Sequence, residues 1–239
     1  MTIPHDPKRI LVVGATGRLG VAIAKALVQR GDHVAITARS QERLDALADE
    51  LSRAPESRPT TVCADLRDPE APERIASRVL EGGRLDGVIL ACGPFPHTPL
   101  EKLSREDLEN TLAVHAVAPL LLVNALSEEL TRTEGAVVAL VDAGVTRPFP
   151  NHVAYLTAKG ALQTGLRALA VELAPQVRVN LLAIGIVADP EADADPTRLH
   201  RLAARSPLGR FGTPAEVVHG ALSLLDATWA TGEIWGIGR

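Results

Sequence analysis

The sequence predicts an α/β fold, a doubly wound parallel sheet of about seven strands with helices on both faces. Three observations lead there. Short apolar runs alternate with amphipathic segments from end to end, the pattern of a parallel sheet covered on both sides. A glycine turn joins the first run to the first amphipathic segment. The chain has 239 residues, 46% of them hydrophobic, enough for one large domain over 1–239.

The elements follow in order. Strands are expected near 9–14, 33–38, 59–64, 85–92, 135–142, 177–184 and 233–237. Helices are expected near 18–30, 41–53, 70–81, 104–130 (broken), 153–174 and 214–226. Between the first strand and first helix lies Gly14-Ala-Thr-Gly17-Arg-Leu-Gly20. Gly14 permits the tight turn, Gly17 and Gly20 let backbone approach a pyrophosphate, and the helix N-terminus offers free N–H groups. This is the strand, turn and helix context of a Rossmann-type dinucleotide site. The second strand ends Ala38-Arg39-Ser40, where an NAD-selective site usually carries an acid. Arg39, Ser40 and Arg18 of the glycine loop suit a 2′-phosphate instead, so NADP(H) is the expected cofactor. Asp65 follows the third strand and can accept from an adenine amino group, or serve as a turn residue. The proline-bearing stretches 54–59 and 94–99 read as short loops.

The fifth strand ends at Asp142. Thirteen residues later comes Tyr155, then Lys159 one helical turn on. Positions four apart share a helix face. A cation near a phenol lowers its pKa, which fits a general acid. The pair alone occurs by chance on many helices, and its weight comes from the glycine loop upstream.

Composition narrows the function. A net charge of −4 gives no reason to expect nucleic acid. Cys63 and Cys92 lie in separate apolar strands and read as small buried core residues. The seven histidines have no metal-ligand spacing. No signal-peptide core is seen, and no run is read as long enough to span a bilayer, so a cytoplasmic protein without membrane contact is expected.

Together the glycine loop, Asp65, Tyr155 with Lys159, Asn180 and the tail Pro207-Leu-Gly-Arg-Phe-Gly-Thr-Pro-Ala-Glu resemble the short-chain dehydrogenase/reductase family over essentially the whole chain. Within it the chain is most similar to the pteridine reductases. Arg18-Leu-Gly20 matches their loop, Asp142 stands where most relatives have a serine, and Pro94-Phe95 with Thr98-Pro99-Leu100 resembles their pterin-contacting loop. The resemblance implies a cofactor site of Gly14, Thr16, Gly17, Arg18, Leu19, Gly20, Arg39, Ser40, Asp65, Leu66, Ala91, Lys159 and Gly185. It implies a reduction in which NADPH gives hydride to a C=N or C=O group. Tyr155 would supply the proton, Lys159 would lower the phenol pKa, Asp142 would bind substrate or share the proton, and Phe95 would stack on a flat ring such as a pterin. A homotetramer is also implied, packed through 104–130 and 153–174, for which the apolar run 116–122 suits an interface or the core.

The chain departs from the family in three places. Leu90-Ala91-Cys92-Gly93 replaces Asn-Asn-Ala-Gly, His115 replaces the helix asparagine that relays protons, and Ile184 replaces the proline before Gly185. Two roles are open to His115: a proton relay, or a buried side chain that satisfies a carbonyl. The acidic stretch 188–196 corresponds to a substrate loop, followed by a short helix over 197–204. Trp229 and Trp235 are expected at the sheet edge or in a subunit contact. Two further readings stay open: a reductase of a β-keto thioester or other ketone, and an NADP(H)-binding protein without turnover.

Overall fold

The computed structural model describes residues 6–52, 54, 57–187, 196–204 and 206–238, without the side chains of 196, 198 and 199. Seven parallel strands form one sheet in the order β3-β2-β1-β4-β5-β6-β7. They are β1 Arg9–Val13, β2 His33–Ala38, β3 Thr60–Cys63, β4 Gly87–Leu90, β5 Ala136–Asp142, β6 Arg178–Ile184 and β7 Ile234–Ile237. The order reverses between β1 and β4, and ligand crevices of open α/β sheets form at such a switch point, beyond the carboxyl ends of the strands.

The strands are buried on both faces, so their apolar residues divide by parity. Leu11, Val13, Val88, Leu90, Val137 and Ala139 face one core. Ile10, Val12, Ile89, Val138 and Leu182 face the other. Helices α1 Arg18–Arg30, α2 Gln41–Leu51 and α9 Pro214–Asp226 cover the second core. The first core is covered by α3 Ala71–Leu80, α4 Arg105–Leu112, α5 Ala118–Ala125, α6 Ser127–Arg132 and α7 Val153–Glu172. A short α8, Pro196–Ala203, follows the substrate-loop stretch, of which 188–195 lie outside the described residues. Ser104 with Asp107 and Thr213 with Glu216 close capping boxes on α4 and α9. A cap of this kind stabilises a helix by about 1 kcal/mol.

The expected break in 104–130 has a local cause. Between α4 and α5, residues Ala113–Val117 form a π-helical turn. Pro119 has no N–H to donate and its ring crowds the carbonyl four residues back, that of His115. The widened turn accommodates both, and His115 is held inside it at 1% exposure.

Three sequence readings are corrected. Cys63 is exposed rather than core, because it ends the edge strand and its thiol reaches the Arg39 carbonyl. Arg105–Ala125, taken through its π turn, is 21 residues and holds an 18-residue window of mean hydropathy 1.3, long and apolar enough by that measure to cross a membrane. In this fold Leu122 and Val123 of that segment are fully buried in the layer under the sheet, while Val117 and Leu121 stand half exposed, so the run serves the core on one side only. Of the two places expected for Trp229, the sheet edge is ruled out, since its side chain is wholly exposed; that exposure is compatible with the other, a subunit contact. Trp235 lies on the edge strand β7 and is partly exposed.

Candidate active site

The carboxyl ends of β1, β4, β5 and β6 open into two adjoining clefts that share Ala91, Cys92, Gly93 and Pro94. The narrower, about 200 Å³, runs along the glycine turn and is lined by Gly14, Thr16, Gly17, Arg39, Arg43 and Leu66 among others. The turn is close-packed backbone. A Cβ on Gly20 would lie 2.3 Å from the Gly14 carbonyl oxygen, and one on Gly14, at φ +80°, would lie 2.6 Å from Cys92 Cα. A Cβ on Gly17 would meet only the Gly14 oxygen, at 3.4 Å. Helix α1 begins there with no side-chain cap and no acid in its first turn. Its first N–H groups are therefore available to an anion.

The cationic part of this cleft differs from expectation. Arg39 lines it, but Arg18 lines the larger cleft and donates to the Val187 carbonyl. The second guanidinium beside Arg39 is Arg43, whose Nη2 donates to the Thr16 carbonyl at 2.6 Å. Sequence reading missed Arg43, although its place in the first turn of α2, beside Arg39, was a usable signal. Ser40 is spent as the N-cap of α2, accepting from the Arg43 amide at 3.3 Å. Asp65 lies outside the cleft lining and pairs with Arg67, Nη2 to Oδ2 2.6 Å; that hydrogen bond holds its carboxyl below the ordinary range. Of the neighbours Asp65 and Leu66, Leu66 is the one that lines the cleft.

The larger cleft, about 620 Å³, is lined by Leu19, Phe95, Asp142, Arg147, Phe149, Tyr155, Lys159 and Gly185, among others. Helix α7 brings Tyr155 and Lys159 back beside the end of β5. The Tyr155 hydroxyl donates to Asp142 Oδ2 at 2.9 Å, and Asp142 Oδ1 accepts the Gly144 amide at 2.6 Å. Lys159 Nζ donates to the Leu140 carbonyl at 3.0 Å and lies 5.9 Å from the Tyr155 ring centre. The expected lowering of the phenol pKa is corrected. Burial, then the Asp142 charge and its hydrogen bond, push Tyr155 well above the ordinary tyrosine value. Burial also lowers Lys159. Tyr155 therefore holds its proton firmly in this state.

Aromatic side chains gather at the mouth, though the chain has only three Phe and one Tyr. Phe95, 58% exposed, meets the Tyr155 ring edge-on at 4.8 Å and stacks on His152 at 4.3 Å. Phe149 lies 5.0 Å from His152. Phe149 and His152 were not foreseen, since they become neighbours of Phe95 only through the bridge that joins Thr98 to His152. Asn180, one of the family-like positions, sits beneath the site: it donates to the Ala230 carbonyl and accepts the Glu233 amide, tying β6 to the chain entering β7.

His115 lines neither cleft. Its Nε2 lies 2.9 Å from the Pro94 carbonyl oxygen, and burial lowers its pKa to about 3. A histidine depressed in the folded state stabilises the fold above its unfolded pKa, near 6.5, and that stability drains as pH falls toward about 3. Between pH 7 and 4.5 wild type should lose about 2 kcal/mol more than a His115→Gln variant. Urea midpoints at the two pH values measure this, and parallel shifts would contradict it.

The chain is similar along nearly its whole length to proteins of known family. The family model described as enoyl-(acyl carrier protein) reductase matches residues 14–237. The pig protein "Dehydrogenase/reductase SDR family member 4" is 31% identical across 98% of this chain and 87% of its own length. The chain belongs to the short-chain dehydrogenase/reductase family. Such proteins are NAD(P)-dependent oxidoreductases, and this one has the family's fold and enzyme class. Bovine L-xylulose reductase is 31% identical over 92% of this chain and 89% of its own. L-sorbose reductase of Gluconobacter frateurii, solved with NADPH and L-sorbose, superposes with a TM-score of 0.88 at 21% identity, covering 97% and 95% of the two chains.

Proposed function

We propose that this short-chain reductase uses NADP(H) to reduce a C=N or C=O group on a flat heterocycle of the dihydropterin type. The observation that carries the reading is Asp142, a carboxylate hydrogen-bonded to the Tyr155 hydroxyl in a cleft rimmed by Phe95 and Phe149. A carboxylate only accepts, so it favours a substrate edge bearing N–H donors. Bound NADPH would supply hydride. The bare helix N-terminus and Gly17 would hold its pyrophosphate, Arg39 with Arg43 its 2′-phosphate, and Lys159 its nicotinamide ribose.

This chain's own residues manage the proton. With Tyr155 donating to Asp142, the phenol keeps its proton and aims it at a carboxylate oxygen 2.9 Å away. Substrate binding redirects that hydroxyl to the reduced nitrogen or oxygen, and the proton crosses as the negative charge there builds. Lys159, whose ammonium lies behind the Tyr155 ring, offsets the phenolate left behind. The test is NADPH oxidation with a dihydropterin set against a ketone panel. Turnover confined to ketones would defeat the pterin reading. The ketone alternative has support of its own in the likeness to L-xylulose reductase, since xylulose is a ketose.

The coenzyme reading has its own expected result. Arg39→Asp and Arg43→Asp should each weaken NADPH at least tenfold while changing NADH little, since each removes a charge-assisted contact to phosphate worth about 1.5–3 kcal/mol. Dissociation constants from nicotinamide fluorescence measure it; equal losses for both coenzymes would refute it.

A further inference from the structure

His115 stands where the family's helix asparagine stands, and the structure gives it neighbours of its own. Its Nε2 reaches the Pro94 carbonyl at 2.9 Å. A carbonyl oxygen only accepts, so Nε2 carries the hydrogen and Nδ1 is left a bare lone pair. Nδ1 is buried, and no donor among the described residues reaches it. The ring interlocks with Gly93: a Cβ there would lie 2.0 Å from His115 Cε1, and Gly93 has φ +112°. The same ring meets Tyr155 edge-to-face, 5.3 Å between centres at 89°. Phe95 meets Tyr155 at 4.8 Å and 81°. The imidazole thus touches the 93–94 backbone and the proton donor at once, while lining neither cleft.

We infer that His115 is a positioning residue: its Nε2–H clamps the Pro94 carbonyl and so fixes the loop that sets Phe95 against Tyr155 at the substrate mouth. A relay through His115 would need the imidazole to gain and lose a proton near neutral pH. Burial keeps it neutral there, and its one N–H is engaged by a carbonyl that cannot pass a proton on. The inference rests on the larger cleft being the substrate site, and one of its readouts is independent of any substrate.

Two amides separate clamp from relay. Glutamine places an N–H near the position of Nε2, and asparagine reaches only as far as Nδ1. Hydrogen exchange at the amides of Gly93, Phe95, His97 and Thr98 should therefore speed up in His115→Asn and be largely restored in His115→Gln. With a substrate that turns over, KM should rise about tenfold in His115→Asn, with a smaller change in kcat, an unshifted pH profile and an NADPH dissociation constant within twofold of wild type. Wild-type exchange in His115→Asn overturns the clamp. So does a fall in kcat with a displaced pH profile in both variants, the signature of a relay. Gly93→Ala, which drives a methyl into the imidazole, reads the contact from the other side: faster exchange over 93–98 is expected, and wild-type exchange there also overturns the inference.

Discussion

Tyr155→Phe is expected to lower turnover by about a hundred- to ten-thousandfold, the range that a positioned general acid contributes. The ring stays, so its edge contacts with Phe95 and His115 stay with it, and only the hydroxyl is lost. NADPH affinity should change little, because the phenol is not among the groups expected to hold the cofactor. Asp142 Oδ2 loses its donor, which costs about 1–3 kcal/mol where no water replaces it. Single-turnover hydride transfer followed at the nicotinamide absorbance, beside coenzyme titration, separates chemistry from binding. Turnover close to wild type would remove Tyr155 from the reaction.

The second large effect belongs to Asp142→Ser. An ionised carboxylate beside the phenol opposes the charge that forms as Tyr155 releases its proton, and it cannot donate to a carbonyl oxygen. A serine hydroxyl removes the charge and both donates and accepts. Substrates that present N–H groups to the carboxylate should therefore lose about ten- to a hundredfold in kcat/KM, the value of a charge-assisted hydrogen bond. Neutral ketones should gain, through a lower phenol pKa and a second donor to the oxygen. The ratio of the two kcat/KM values is the measurement. Equal losses on both classes would mean that Asp142 supports the loop through the Gly144 amide and takes no part in substrate choice.

These two residues mark the division between what one dimension and three dimensions decide. The glycine turn was legible because its requirement is local: positive φ at Gly14 and a Cβ-free approach at Gly20 arise within seven residues. Tyr155 and Lys159 were legible for the same reason, one turn apart on one helix. The charge balance around them was not. That Lys159 spends its hydrogen bond on Leu140 while Asp142 takes the phenol depends on how deeply α7 settles against the end of β5. Burial, joined by the Asp142 charge and its hydrogen bond, then reverses the expected direction of the Tyr155 shift.

By itself the sequence determined the alternating architecture, the parallel sheet, the dinucleotide turn, the broken helix and the Asp142, Tyr155 and Lys159 set. All of these rest on periodicities and spacings shorter than one supersecondary unit. Only the tertiary structure decided that Arg43 joins Arg39 while Arg18 turns away, that Asp65 pairs with Arg67, that Phe149 and His152 gather around Phe95, and that His115 grips the Pro94 loop. Each of these depends on where side chains from different segments meet, and on how much water is excluded when they do. Sequence spacing fixes what a single element presents; only packing sets which groups lose their water together, and so which charge or hydrogen bond prevails.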